Sequence, residues 1–200
     1  MEQRAERKER KKPRGPKKVT EKYLERVALW YLDRWGGASG RLRRLLLRRV
    51  QDSERVHGTD PEEGRRWIEA LILRLQEAGV LNDRLVAESR ARSHFAKGQA
   101  LSAVARKLRQ DGLGDEDIEA AIDLLVEERP APNLEAAANY ARRRRLGPYR
   151  AETEREARRE RDLAALARRG FDYQTARCVI EAESVEALED LLEEAREAGL

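Results

Sequence analysis

Residues 99–126, with the sequence QALSAVARKLRQDGLGDEDIEAAIDLLV, contain the pattern that decides the fold. Apolar residues recur at i, i+3, i+4 and i+7 in each half, which predicts two amphipathic helices. The two stripes are Leu101, Val104, Ala105 and Leu108, then Ile118, Ala121, Ile122 and Leu125. Two helices on so short a connection must cross sharply and bury their stripes against a third element.

The connection between these two helices is a joint with a defined chemistry. Gly112 has no Cβ and can adopt the left-handed backbone that ends a helix, while Leu113 places an apolar side chain beneath the turn. Asp115 is expected to accept the free N–H groups of the next helix. The same order of glycine, apolar residue and Asp or Asn returns at residues 79–83 (GVLND) and 170–172 (GFD). The recurrence predicts similar units along the chain.

The segments around the joints complete the units. Thr20 and the pair Asp60-Pro61 are predicted to begin helices, and Asn133 is predicted to cap the first helix of the last unit. The polar segment 51–59 is interpreted as a long connection between helices. Two apolar side chains, Trp35 and Leu85, are predicted to lie on buried helix faces.

These patterns predict an all-α fold, because no period-2 alternation of β-branched residues is present. We expect three tandem three-helix repeats, each resembling a helix-turn-helix, that form an elongated and curved molecule. The predicted ranges are 19–79 (unit 1), 80–130 (unit 2) and 131–200 (unit 3, which includes an extra C-terminal helix). Few aromatic residues (5%) and many charged ones (40%) suit the thin cores of such repeats.

The net charge of +4 is distributed unevenly. Residues 1–18 hold nine Lys or Arg and three Glu, so this segment carries +6 and the remainder −2. Without an apolar stripe, and with Pro13, Gly15 and Pro16, it is predicted to be a disordered basic tail. Such a tail is either an arm attracted to nucleic-acid phosphates or a solubilising leader.

The residue types that carry catalysis or bind metals are scarce. His57 and His94 lie far apart without ligands at metal-binding spacing, and Cys178 is the single cysteine. No nucleophile elbow or glycine-rich phosphate loop is present. We therefore expect no enzyme, no metal and no cofactor. We also expect a cytoplasmic protein, because no secretory signal or apolar run of about 20 residues appears. We expect it to be a monomer.

Basic residues are the remaining candidates for a functional surface. We predict two sets to contact phosphates or an acidic protein groove, against the alternative of ordinary solvated helix faces. The first set is Arg90, Arg92, Lys97, Arg106, Lys107 and Arg109; the second is Arg142, Arg143, Arg144 and Arg145. A third, weaker candidate is Arg41, Arg43, Arg44, Arg48 and Arg49.

Several segments together resemble the RecX regulators of the RecA recombinase. They are residues 28–32 (ALWYL), 41–45 (RLRRL), 79–84 (GVLNDR), 105–113 (ARKLRQDGL) and 166–173 (LARRGFDY). The resemblance covers about residues 20–182. It implies a non-catalytic regulator that binds in the groove of the RecA–DNA filament, with RecA and single-stranded DNA as partners, and that restrains recombinase and coprotease activities in DNA repair. The segment 51–59, the basic tail and the helix after Ser184 are not typical of the family.

Two other functions are compatible with the pattern. A helix-turn-helix regulator would bind duplex DNA directly, as a dimer, through the second helix of the 99–126 pair. That helix is rich in Asp and Glu, which DNA would repel. A passive helical scaffold for another partner would show neither effect.

Overall fold

The computed structural model describes residues 15–198, and within this range it contains ten α-helices and one 3₁₀ helix, with no strand. The predicted all-helical class is confirmed. The helices are α1 (Glu21–Trp35), α2 (Ser39–His57), α3 (Pro61–Glu77), α4 (Asp83–Ala96), α5 (Leu101–Asp111), α6 (Asp115–Glu128), α7 (Pro132–Arg144), α8 (Glu152–Ala167), α9 (Tyr173–Ile180) and α10 (Val185–Glu197), with the 3₁₀ turn Gly147–Tyr149 before α8. The tail prediction for residues 1–14 lies outside the described residues.

The helices pack mainly within successive trios. Helices α1–α3 pack on one another, as do α4–α6 and α7–α9. The first trio has its own core around Leu24, Leu46 and Ile68. The other two trios share one continuous core, which runs from Leu108 to Val179 and to Leu188 of α10. The helices thus follow the three-helix repeats, while the unit boundaries at 79/80 and 130/131 remain predictions.

The three joints have a common geometry. Gly112 adopts a left-handed backbone with φ of 89°, and the Leu113 amide then donates to the Leu108 carbonyl five residues back (3.2 Å). The amides of Val80 and Phe171 close their helices through the same i→i−5 bond, which satisfies carbonyls at the helix ends. Leu113, Leu81 and Phe171 are the buried residues under the joints. Val80, which precedes Leu81, is exposed.

Several predicted helix starts are confirmed. Thr20 accepts a hydrogen bond from the Tyr23 amide (3.3 Å), and Asp60 accepts one from the Glu62 amide (2.9 Å). The caps predicted at Asp115 and Asn133 are wrong. Gly114 occupies the cap position of α6 without a side-chain bond, and Asp115 pairs instead with Arg109.

Asn133 caps a different helix from the one predicted. It lies inside the first turn of α7, which begins at Pro132. Its Oδ1 accepts a hydrogen bond from the Leu101 amide (2.9 Å), at the start of α5. A residue 32 positions away therefore satisfies a free N–H at the N-terminus of that helix.

The interpretation of residues 51–59 as a connection is wrong, because α2 continues to His57 and ends at Gly58, whose φ is 65°. Ser53 is fully buried there. Its hydroxyl accepts a hydrogen bond from the Val19 amide (2.8 Å) and also bonds the Thr59 hydroxyl. These tertiary bonds hold a polar segment in the helix.

Two predicted core residues are exposed. Trp35, the last residue of α1, is 66% exposed because only the Leu24 and Ala28 positions of that helix are fully covered. Leu85 is 61% exposed. It is two residues from the buried Ala87, which places it on nearly the opposite side of α4 at 100° per residue.

Candidate anion-binding clefts

Part of the predicted basic surface instead joins unit 1 to unit 2. The start of α2 docks on unit 2, where the Ser39 amide donates to Asp83 Oδ1 (2.8 Å) and the Ser39 hydroxyl donates to Asp83 Oδ2. Arg44 donates to the Gln110 carbonyl (3.1 Å). The backbones of Gly40 and Gly112 are in close contact, since a Cβ on Gly40 would lie 2.2 Å from the Gly112 oxygen. Arg44 is therefore a structural residue.

The first predicted set does not form one surface. Arg90 donates to Asp111 (2.6 Å), Arg92 to Glu128 (2.7 Å), and Arg109 pairs with Asp115 (2.7 Å). For Lys97, Arg106 and Lys107, no carboxylate lies within 4.0 Å in the described part of the chain. Arg90 is half-buried between α4 and α5, where its ion pair holds the two helices together.

His94 lies beside two of these lysines. Burial lowers its pKa, and the charges of Lys107 and Lys97 lower it further. Its Nδ1 is buried and has no hydrogen-bond partner among residues 15–198. The structure thus favours the neutral imidazole.

One cleft, of about 400 Å³, brings members of both predicted sets together between α4, α6 and α7. We call it the α4–α7 cleft, and its basic residues are Arg92, Arg129, Arg142 and Arg143. The Arg143 guanidinium donates to the Ala96 carbonyl (3.1 Å), and Arg129 lies over the Phe95 ring, 5.3 Å from its centroid. Glu128 and Glu135 also line the cleft, which leaves an excess of two positive charges.

A second cleft, of about 360 Å³, lies between the end of α7 and one face of α8. We call it the arginine cleft. It is lined by Tyr140, Arg144, Leu146, Arg150, Arg158, Arg161, Asp162, Ala165 and Arg168. The run 142–145 is therefore divided, since Arg142 and Arg143 face one cleft and Arg144 the other. Arg145 lies at the end of α7 with a left-handed backbone, φ 53°.

Only one arginine of this cleft is neutralised. The buried Asp162 carboxylate accepts from the Arg150 guanidinium (3.0 Å) and from the Gly147 amide (3.1 Å). Arg144, Arg158, Arg161 and Arg168 have no carboxylate within 4.0 Å among the described residues. This side of the molecule therefore carries a local excess of four positive charges.

Tyr140 responds to this positive field. Burial raises the pKa of its hydroxyl, but the guanidinium groups of Arg169 and Arg144 outweigh burial and leave that pKa below its ordinary value. The Arg169 guanidinium also lies over the Tyr140 ring, 4.7 Å from its centroid. The ring is thus already covered on one face.

The sequence interpretation missed the arginine cleft. None of the candidate sets contained Arg158, Arg161 or Arg168, although these residues recur at i, i+3 and i+10. That spacing places them on one side of a helix. A search for arginines on one helical face, separated from the acidic residues, would have found them.

Residues 15–198 lack two further kinds of feature. No group of three or more His, Cys, Asp or Glu residues there is arranged to hold a metal ion. None of the helices in this range has the length and apolarity required to cross a bilayer.

The fold and these surfaces define a class: an all-helical protein of tandem three-helix modules with basic clefts on its outside. A family model described as the second three-helix domain of RecX matches residues 82–122. The regulatory protein RecX of Myxococcus xanthus is 41% identical over 177 residues, which is 86% of this chain and 94% of the relative. This chain belongs to the RecX family of regulatory proteins.

Other relatives agree. The regulatory protein RecX of Thermobifida fusca is 39% identical over 60% of this chain and 64% of its own length. That of Agrobacterium fabrum is 33% identical over 58% of this chain and 59% of its own length. No solved structure matches this chain.

Proposed function

We propose that this protein binds the RecA–DNA filament and restrains the recombinase and coprotease activities of RecA during DNA repair. It does so by occupying the filament, as a cytoplasmic monomer, without catalysing a reaction. The observation that carries the proposal is the 41% identity to a regulatory protein RecX over 94% of that relative. RecA and the single-stranded DNA within the filament are the proposed partners.

The distribution of charge supports this proposal. A filament presents the same contacts repeatedly, so a protein with several separate weak sites gains affinity when they engage together. The α4–α7 cleft is lined by residues of both unit 2 and unit 3, whereas the arginine cleft is lined by residues of unit 3 alone. Two basic clefts on one rigid helical body suit contacts with more than one filament element.

Among the ten predicted contact residues we propose different roles. Arg90 and Arg109 hold carboxylates away from both clefts and serve mainly to position α4, α5 and α6, whereas the Arg92–Glu128 pair lies in the lining of the α4–α7 cleft. We propose that the remaining residues contact the filament: Arg92, Lys97, Arg106, Lys107, Arg142, Arg143, Arg144 and Arg145.

Direct duplex binding through α6 is disfavoured. Its first turn carries Asp115, Glu116 and Asp117. Burial raises the pKa of Asp117, and the nearby charges of Asp83 and Glu116 raise it further. Such a helix would be repelled by DNA phosphates.

Co-sedimentation with RecA filaments on single-stranded DNA tests the proposal. We expect the protein to pellet with filaments and the quadruple variant R142A/R143A/R144A/R145A to pellet at least tenfold more weakly. The control R26A/R34A/R65A/R66A removes the same charge from exposed positions of α1 and α3, outside the candidate sets, and should behave as the wild type. Failure of the wild-type protein to pellet above a bare-DNA control would refute the proposal, provided that circular dichroism shows it folded.

A further inference from the structure

Seven arginines on or beside α8 fall into two groups by their contacts. Arg155 donates to the carbonyls of Pro148 (2.8 Å) and Glu183 (2.7 Å), and so secures the 3₁₀ turn and the start of α10. Arg159 pairs with Glu181, and Arg150 with Asp162. These three side chains bind other parts of the chain, and these contacts give each of them a structural role.

The second group consists of four arginines of the arginine cleft: Arg144, Arg158, Arg161 and Arg168. No carboxylate of residues 15–198 lies within 4.0 Å of their guanidinium groups. Like charges gathered on one concave surface repel one another and oppose folding. Such a group of arginines is explained either by a ligand that they bind or by solvation of each guanidinium group. Their concentration in one cleft, beside a tyrosine whose pKa is lowered by Arg169 and by Arg144 of this group, favours an anionic ligand.

The shape of the cleft indicates an extended anion. Positions 158 to 168 lie ten residues apart, which corresponds to about 15 Å along a helix. Arg144 stands on the opposite wall, at the last turn of α7. Phosphates along a strand that keeps the stacked rise of B-form DNA are spaced by about 3.4 Å along the axis, so about four of them match this length. Guanidinium groups bind phosphate oxygens through paired, planar hydrogen bonds.

The lining also indicates which part of the strand is contacted. Base stacking needs an exposed aromatic face, and the one aromatic ring of the cleft, Tyr140, is 9% exposed and covered by Arg169. Contacts therefore go to the backbone and carry no sequence preference.

We propose that the arginine cleft binds about four successive phosphates of a single nucleic-acid strand, directly and without RecA. This inference deepens the proposed function by assigning its DNA contact to Arg144, Arg158, Arg161 and Arg168. It can fail separately, because the strand is bound by this chain alone.

The test is fluorescence anisotropy of a labelled 15-nucleotide oligo-dT with the full chain, in the absence of RecA, across a salt series. Each phosphate contact contributes about −0.7 to the slope of log K against log salt. The variant R161Q/R168Q should therefore make the slope shallower by about 1.4, whatever the basic N-terminal residues add, and bind about 60-fold more weakly at 50 mM salt. The control R65Q/R66Q removes two exposed arginines of α3 that belong to none of the candidate sets and should leave the slope unchanged.

Three further arms complete the experiment. Mixed-sequence oligonucleotides should bind as oligo-dT does, and thermal melting should show both variants folded. If R161Q/R168Q keeps the wild-type slope, or R65Q/R66Q loses as much, the assignment is overturned. It is also overturned if inorganic tripolyphosphate binds the wild type while oligo-dT does not. If the wild-type protein does not bind oligo-dT but still pellets with RecA filaments, this inference is overturned and the proposed function stands.

Discussion

Replacing Gly40 with alanine should disrupt the junction between unit 1 and unit 2. A Cβ at this position would lie 2.2 Å from the carbonyl oxygen of Gly112 and 3.0 Å from its carbonyl carbon. Both are backbone atoms of the joint that ends α5, so neither can rotate away. The start of α2 must instead retreat from unit 2 by roughly 1 Å to restore van der Waals contact.

The cost follows from the bonds that this retreat breaks. The Ser39 amide bond to Asp83, now 2.8 Å, would lengthen beyond hydrogen-bond distance, and a bond to a charged group is worth about 1.5–3 kcal/mol. Overpacking adds about 1–3 kcal/mol. Alanine recovers at most about 1 kcal/mol through its higher helix propensity. We expect a net loss of about 3 kcal/mol.

Urea unfolding followed by two probes measures this loss. The three tryptophans, Trp30, Trp35 and Trp67, all lie in unit 1, whereas far-UV circular dichroism reports every helix. In Gly40→Ala the fluorescence midpoint should fall and separate from the dichroism midpoint, because unit 1 no longer unfolds together with the rest.

A matched control is Gly114→Ala. A Cβ there would meet only the Asp117 carboxylate, at 3.9 Å, so the loss should stay below about 1 kcal/mol. A Gly40→Ala protein within about 0.5 kcal/mol of the wild type, with coincident midpoints, would refute the close contact between α2 and the joint.

Three smaller perturbations test other parts of the structure. Arg145→Gly should raise the unfolding free energy by up to about 1 kcal/mol in urea titrations, since glycine relieves the left-handed backbone at φ 53°; a loss would contradict that geometry. Asn133→Ala should cost about 1 kcal/mol and expose the Leu101 amide to hydrogen exchange while the first turn of α7 stays unchanged. For His94, burial and the charges of Lys107 and Lys97 lower the pKa in the folded state, so stability is full above the unfolded value of about 6.5 and declines as the pH falls below it. His94→Leu should therefore lose less stability than the wild type between pH 7.5 and 5, and parallel profiles would count against this role.

Local features of the fold could be predicted from the sequence. The apolar period sets the helix faces, and the left-handed glycine followed by a buried residue sets each joint, as Gly112 and Leu113 show. Both depend on residues within a few positions of one another. Caps that bridge distant segments could not be predicted, because nothing near Asn133 in sequence indicates that it faces Leu101 of α5.

The sorting of arginines was also beyond the sequence. Arg158 and Arg159 are neighbours in the sequence. Arg159 pairs with Glu181, which directly follows α9, whereas Arg158 lines a cleft and has no carboxylate within 4.0 Å among the described residues. An ion pair between residues 22 positions apart depends on how α8 and α9 pack. The spacing of Arg158, Arg161 and Arg168 on one side of a helix can be recognised in the sequence. That these arginines lie away from acidic side chains can be seen only in the tertiary structure.

RecA-dependent ATP hydrolysis on single-stranded DNA tests the central claim most directly. Increasing amounts of this protein should lower the hydrolysis rate to a plateau, and R142A/R143A/R144A/R145A should require a higher concentration for the same effect. An unchanged rate at saturating, folded protein would contradict the claim that this chain restrains RecA.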